Sequence, residues 1–345
     1  MTAGLRISPI RKYSYAVSII VVLVLQMSCG SFAQSPAVYK FDRTQMGTRI
    51  EITVVCLSEI DAKNATGRAF AEIDRIESLL SEYRGNSDIS RINGRAGGDW
   101  VEISQETYKL LLLAVDMANR SSGAFDITFK SLEVWDFHNP DAEPPSAEQI
   151  QRRMELVDYR NLEFNLPDRS VRLKKKGTAI GLGGIAKGYA VSRAVMVLRD
   201  YGIESGIVNA GGDLYAFGDK LGQPWIVGIQ DPRNTNELAA TIEVRDTAVV
   251  TSGDYERYFL HEGTRYHHIL DPRTGYPAAG CRSVTILAED PTIADAMSTA
   301  VFVLGPEKGM ALVEESLGVE CMIIDSQGSV MFSFGASSLG LKAVQ

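Results

Sequence analysis

The sequence predicts a single α+β domain of mixed sheets with inserted helices over residues 34–345, and three observations carry that expectation. Strand-like segments come in runs that helix-like segments interrupt irregularly, unlike the strict alternation of a doubly wound fold. No Gly/Ser-rich or Pro-rich linker separates two halves, and no repeat of about 20–50 residues recurs. The 345 residues are 45% hydrophobic and 23% charged, globular values that exclude a disordered, collagenous or coiled-coil chain.

The elements follow in order. Arg6, Arg11 and Lys12 precede an apolar run from Tyr15 to Leu25, and Ser31-Phe32-Ala33 offers a small–x–small cleavage site before Gln34. This is the layout of a secretory signal peptide at residues 1–33, and the run falls short of the roughly 20 residues that a spanning helix needs. A lipoprotein signal ending at Cys29 is the alternative, with Gln26-Met27-Ser28 a poor lead-in. Residues 49–56 alternate like a half-buried strand. Phe70, Ile73, Ile76, Leu79, Leu80 and Tyr83 then recur at helical spacing over 63–83. A second amphipathic helix follows Ser104, with Tyr108, Leu111, Leu112 and Val115 inward, and stops near Ser122-Gly123. The Pro- and acid-rich stretch 139–145 is loop, followed by a short helix (146–154) and paired short strands around 161–180. After a glycine-rich turn come a helix from Lys187 to Tyr201 and a meander of strands over 206–250. A turn-rich stretch, a strand at 282–288, a helix at 292–304 and a final helix–strand pair complete the chain.

Charge and cysteine usage narrow the function. There are 35 basic against 43 acidic residues, a net charge of −8. The short run Lys174-Lys175-Lys176 reads as a solvated strand or turn face, so nucleic acid is excluded as a partner. After cleavage Cys56, Cys281 and Cys321 remain, with no CxxC and no His–Cys cluster. A thiolate metal site or redox pair is therefore not expected, and buried small hydrophobes are.

Four constellations could carry chemistry. Gly181-Leu182-Gly183-Gly184-Ile185-Ala186-Lys187-Gly188 lies between a strand and a helix. Glycines admit close backbone approach, a helix N-terminus presents free N–H groups, and Lys187 adds a full charge, which together suit phosphate. A tight strand–helix turn with a surface lysine accounts for the same residues equally well. Asp295, Ser298 and Thr299 share one helical face, an oxygen-only set that fits a hard cation such as Mg²⁺. The competing account places Asp295 in a first turn, where the helix dipole favours it. In Tyr266-His267-His268-Ile269-Leu270-Asp271-Pro272-Arg273-Thr274-Gly275, a His268–Asp271 pair could serve as general base, or the segment is turn chemistry around a core histidine. Asn209-Ala210-Gly211-Gly212-Asp213 and Thr251-Ser252-Gly253-Asp254 put glycine beside small polar residues at strand ends. Ligand approach and plain turns explain both.

In order and spelling these segments resemble one family over about residues 40–335, the FAD:protein FMN transferases, or ApbE-type flavin transferases of the bacterial envelope. The matching segments are Met46-Gly47-Thr48, Ser81-Glu82-Tyr83-Arg84 through Asn93, and Gly123-Ala124-Phe125-Asp126-Ile127-Thr128. Gly183 to Ala190, Asn209 to Leu214, His268 to Pro277 and Ala294-Asp295-Ala296 complete them. The resemblance implies an ApbE-like domain with a cofactor cleft between two lobes. It also implies transfer of FMN from FAD, as substrate, to a Ser or Thr hydroxyl of a protein acceptor, with AMP leaving. The acceptor would be a membrane-bound or periplasmic redox protein, and the enzyme would sit in the periplasm or on the outer face of the inner membrane.

The family also implies Mg²⁺ held by Gly184, Asp295, Ser298 and Thr299, and catalysis by His268 with Asp271. Met46, Tyr83, Ala124, Phe125, Asp126, Lys187 and the Ile269 backbone would contact the cofactor. Asp295→Ala is then expected to abolish transfer with the fold intact. An unperturbed histidine titrates near ~6.5, so transfer is expected to rise with pH through roughly 6–8. Two positions depart from the family pattern. Gly181 stands where an Asp of the flavin site is usual, and Asp136 where a Gly usually follows the tryptophan. A non-catalytic flavin-binding protein and a FAD pyrophosphatase giving FMN and AMP are the alternatives. A pure binder needs neither the metal set nor the base.

Overall fold

The computed structural model describes residues 1–2, 35–336 and 341–343, so the expected signal peptide at 1–33 lies outside the described residues apart from its first two. The chain enters through a hairpin, β1 (Ala37–Gln45) and β2 (Thr48–Cys56), then α1 (Glu59–Leu80) and the short α2 (Asp88–Asn93). A two-residue β3 (Val101–Glu102) precedes α3 (Gln105–Arg120) and α4 (Ala147–Met154). Strands β4 (Leu162–Asn165) and β5 (Ser170–Leu173) lead to α5 (Ala186–Asp200). Five strands follow: β6 (Gly206–Ala210), β7 (Asp213–Phe217), β8 (Trp225–Gln230), β9 (Leu238–Val244) and β10 (Thr247–Gly253). Next is the hairpin β11 (Tyr258–His261) and β12 (Thr264–His267). The last third holds β13 (Cys281–Ala288), α6 (Pro291–Leu304), α7 (Pro306–Glu314), β14 (Val319–Asp325), β15 (Val330–Phe332) and β16 (Lys342–Ala343). Residues Ser35–Gln345 form one compact unit.

The architecture is α+β. Its main sheet has eight strands in the order β1-β2-β6-β7-β10-β13-β14-β15, with smaller sheets β16-β9-β8, β3-β5-β4 and β11-β12. Mixed sheets were expected, but every named pair is antiparallel. The long helical insertion between β2 and β6 returns the chain running against β2, so it does not act as the crossover that a parallel pair requires. The segment 206–250 is also not one meander, since β8 and β9 leave the main sheet and cover its other face.

Alternation sorts the central strands into two cores. Ala248, Val250, Val284, Ile286, Cys321 and Ile323 join the core shared with the helices. Val249, Leu287, Met322 and Ile324 join Trp225, Val227 and Ile242 in the other. Burial on both faces explains why β13 and β14 read as near-continuous apolar runs. Cys281 and Cys321 are buried there as free thiols, and burial pushes both up to about 12, which keeps them inert.

Two helices differ from the periodicity reading. The first stops at Leu80 because Ser81 is already extended, so Tyr83 lies off the helix and is exposed. On α3 the buried positions are Thr107, Tyr108, Leu110, Leu111, Ala114, Met117 and Ala118, while Leu112 is exposed. The run Leu110-Leu111-Leu112-Leu113 allows two phases of the apolar stripe, and tertiary packing selects one.

A third, aromatic core holds the β11–β12 hairpin. Trp135 stacks on Phe137 and Tyr266 with centroids 5.7 and 5.6 Å away, and Phe259 lies 5.2 Å from Tyr266. The Trp135 indole N–H donates to the Gly275 carbonyl (3.0 Å), which ties this core to the turn after β12.

Candidate active site

The crossing of α5 and α6 organises the site. A Cβ on Gly188 would lie 2.1 Å from the Pro291 carbonyl oxygen and 2.7 Å from the Asp295 Cβ, so only glycine permits this approach. Ile185, at the start of α5, has no side chain able to cap the helix. Asp295 supplies the acceptor from α6: its Oδ2 receives the Gly188 N–H at 2.8 Å. The carboxylate thus serves the N-terminus of the neighbouring helix, and the first-turn account of Asp295 gives way to this one.

Two carboxylates share one ammonium here. Asp213, 2% exposed at the start of β7, forms an ion pair with Lys187. Burial works against the Lys187 charge, but Asp213, Asp295 and Glu256 outweigh it and hold the ammonium above its ordinary value. Burial, with Asp213 close by, pushes the Asp295 carboxyl up to about 7. The Asp213 carboxyl is raised for the same reason, with Lys187 opposing. One ammonium cannot compensate two buried carboxylates, so the cluster has an affinity for further positive charge.

The expected metal set converges beside this cluster. The Ser298 hydroxyl donates to the Asp295 carbonyl (2.8 Å) and lies 2.8 Å from the Ser252 hydroxyl, which is 3.5 Å from that of Thr299. A Cβ on Gly184 would come within 2.9 Å of Thr299 Oγ1 and 3.2 Å of the Phe125 ring, so Gly184 leaves the space a side chain would fill. One carboxylate, hydroxyls and a main-chain carbonyl suit a hard divalent cation, and the residues fit Mg²⁺ on that ground. No group of three or more His, Cys, Asp or Glu suited to a metal occurs among the described residues.

The histidine pair splits as strand geometry requires. His267 is buried, its Nε2 on the Ala278 carbonyl (2.8 Å) and its Nδ1 accepting the Ile269 N–H (3.3 Å). His268 is half-buried, with Nδ1 enclosed and without a hydrogen bond. Burial, then the positive charge of Arg257, the His267 ring and Lys187, drive His268 down to about 3.

Three residues expected at the site already have partners within the chain. Asp271 does not pair with His268. Both its oxygens go to Arg273, Oδ1 accepting Nε–H (2.8 Å) and Oδ2 accepting Nη2–H (2.8 Å), because the Pro272 turn brings that guanidinium back over the carboxylate. Arg273 also reaches the Val303 carbonyl (3.2 Å), so the pair fastens the turn to α6. The Asp126 side chain is likewise consumed. It accepts the Thr128 N–H and hydroxyl (2.7 and 2.6 Å) and the Tyr159 N–H (2.9 Å), bracing the 3-10 turn Ile127–Ser131. The Ile269 backbone is engaged with His267 and, through its carbonyl, the Ala278 N–H (3.0 Å).

The remaining predicted residues are placed as follows. Ala124 is buried, Phe125 flanks Gly184, and Met46 sits half-buried at the β1–β2 turn with φ +52°. That hairpin abuts the β6–β7 turn, where a Cβ on Gly211 would meet Thr48 Oγ1 at 2.2 Å. Tyr83 is 80% exposed, with Lys130 Nζ 4.9 Å from its ring centroid. Sequence reasoning missed Asp213 and Ser252, although both lay in glycine-bearing motifs. It missed Glu256 entirely, because no local pattern marks it.

Comparison with known proteins follows from this arrangement. The model of the ApbE family matches residues 46–323. A FAD:protein FMN transferase of Treponema pallidum is 33% identical, covering 89% of this chain and 90% of its own length. One of Klebsiella pneumoniae is 31% identical, over 86% of this chain and 92% of its own. The crystal structure of the ApbE protein of Thermotoga maritima superposes with a TM-score of 0.82 at 37% identity, covering 88% of this chain and 99% of that one.

Proposed function

This chain belongs to the ApbE family, and from that premise we propose that the Lys187–Asp213–Asp295 cluster is the reaction centre of a FAD:protein FMN transferase. FAD is the substrate and a protein is the acceptor. The acceptor hydroxyl, from Ser or Thr, attacks the FMN phosphorus. The bond from that phosphorus to the bridging oxygen breaks, and AMP leaves with that oxygen. The observation that carries the reading is the convergence, at the crossing of α5 and α6, of a half-buried ammonium on a buried carboxylate, a helix N-terminus and an oxygen-only donor set.

Asp295, Ser298, Thr299 and the Gly184 carbonyl would hold Mg²⁺, which when bound supplies positive charge against the bridging oxygen. Lys187, fixed by Asp213, adds a second positive charge without needing to move. His268 takes the hydroxyl proton. With Nδ1 enclosed, Nε2 is the nitrogen open to the acceptor. The anionic pyrophosphate bound nearby stabilises the imidazolium and raises the base toward its working range, so binding of substrate switches the base on. Residues 1–33 would direct export, and the acceptor would be a periplasmic or membrane-bound redox protein.

The test is direct. The chain from residue 34 is incubated with FAD, Mg²⁺ and candidate redox proteins, then run on a denaturing gel. Flavin fluorescence on a Ser- or Thr-bearing acceptor is expected. Release of FMN and AMP with no labelled protein would convert the reading to a pyrophosphatase, and FAD binding without turnover to a binder.

A further inference from the structure

Gly181, one of the two departures from the family pattern, is closely packed by its neighbours. A Cβ on Gly181 would lie 2.6 Å from Glu82 Oε2 and 3.2 Å from the Lys130 Cβ. Glu82 therefore occupies the volume that a side chain at 181 would need. Its Oε1 accepts from Lys130 Nζ at 2.9 Å. Among the described residues no hydrogen bond or ion pair is made to Oε2. The segment is held on both sides: the Ser90 hydroxyl donates to the Glu82 carbonyl (3.0 Å), and the Gly181 N–H donates to the Ile127 carbonyl (2.9 Å).

We propose that Glu82 is a specificity residue of this chain, whose free carboxylate oxygen accepts an N–H from the edge of a FAD ring lying against Tyr83. The inference rests on the transferase reading and names a recognition residue for it. Tyr83 follows Glu82 directly, is 80% exposed, and carries Lys130 4.9 Å from its centroid, so it offers an aromatic surface backed by a fixed cation. Neutralising Lys130 does not require Glu82, because Glu133 also reaches that ammonium at 3.2 Å. A carboxylate with one oxygen anchored and the other spare is suited to read an N–H at a ring edge, which the flavin offers as its imide N–H and the adenine as its exocyclic amino group. Glu82 thus supplies from the neighbouring segment the acceptor that an Asp at 181 would have supplied.

Equilibrium binding of FAD, FMN and ADP to the purified chain and its variants tests this, with the melting temperature of each variant as a control. Glu82→Ala is expected to weaken FAD by about 10- to 100-fold, as for loss of a charged hydrogen bond, and Glu82→Gln, which keeps an acceptor oxygen, by less. Gly181→Asp alone meets Glu82 and is expected to bind poorly, whereas Gly181→Asp combined with Glu82→Ala restores FAD affinity. A loss confined to FMN assigns the contact to the flavin, and one confined to ADP assigns it to the adenine. Equal losses for both halves, unchanged FAD affinity in Glu82→Ala, or a double variant no better than Glu82→Ala would each overturn the proposal. If the wild type labels an acceptor while Glu82→Ala binds FAD normally, only this inference fails. A wild type that binds no FAD removes the transferase reading as well.

Discussion

His268 carries the difference between a histidine read in a sequence and one placed in a fold. Read alone it titrates near ~6.5, but here burial, Arg257, His267 and Lys187 bring it down to about 3. The free enzyme then holds it neutral throughout the neutral range. The expected rise of transfer through roughly pH 6–8 should therefore be absent from the pH profile of kcat/KM, which reports the free enzyme. An acid limb is expected in kcat alone, if the bound pyrophosphate raises the group as proposed. His268→Ala should lower transfer by on the order of 10²–10⁴ while FAD still binds. A kcat/KM limb near 6.5 that vanishes in the variant would show the free histidine to be unperturbed. Stability carries a second signature. The unfolded chain binds a proton at this position below ~6.5 and the folded one only near 3, so the contribution is complete above ~6.5 and is lost as pH falls toward 3. Melting scans from pH 7 to 4 should show the wild type losing stability by up to about 1.4 kcal/mol per pH unit more than His268→Gln. Parallel curves for the two proteins would count against the half-buried, neutral ring.

The two helices that cross at Gly188 make Asp295 a cap as well as a proposed ligand. Asp295→Ala, expected from sequence to spare the fold, removes the acceptor for the Gly188 N–H. An N-cap acceptor is worth about 1 kcal/mol, so that variant should lose stability as well as transfer. Asp295→Asn separates the roles, since its amide oxygen can still receive the N–H while the negative charge for a cation is gone. Chemical denaturation should place Asp295→Asn above Asp295→Ala in stability, with neither transferring FMN. Undiminished Mg²⁺-dependent activity in Asp295→Asn would reduce Asp295 to its capping role. Elsewhere a polar network steadies the helices under the site. Arg75 joins Glu72 and Glu106 at 2.8 Å each, Arg193 reaches Glu72 at 3.1 Å, and Tyr189 donates to Glu106 at 2.6 Å, linking α1, α3 and α5.

At the scale of the molecule, the three hydrophobic cores found among the described residues lie within Ser35–Gln345. A chain begun at Gln34 should melt cooperatively and bind FAD as the full-length protein does. A large loss of melting temperature on removal of residues 1–33 would mean that the segment packs on the domain and is no signal peptide. Much of the molecule was legible beforehand. Strand and helix positions followed from period-two and helical spacing, and the glycine turn before Lys187 and the row Asp295–Ser298–Thr299 are local patterns whose chemistry is written in neighbouring residues. Phase and partnership were not. The leucine run of α3 fits two registers, and only burial against the rest of the domain chooses between them. Asp271 and Asp126 look like free carboxylates in a sequence, yet the fold consumes both in turns. Asp213 met Lys187, Glu82 filled the space of Gly181, and Ser252 met Ser298 across separations of 26, 99 and 46 residues. Local sequence determines which residues can form a turn, a strand or a helix face. Which charge finds which counter-charge, and which histidine is kept neutral, depends on burial and on distances that chain closure alone sets.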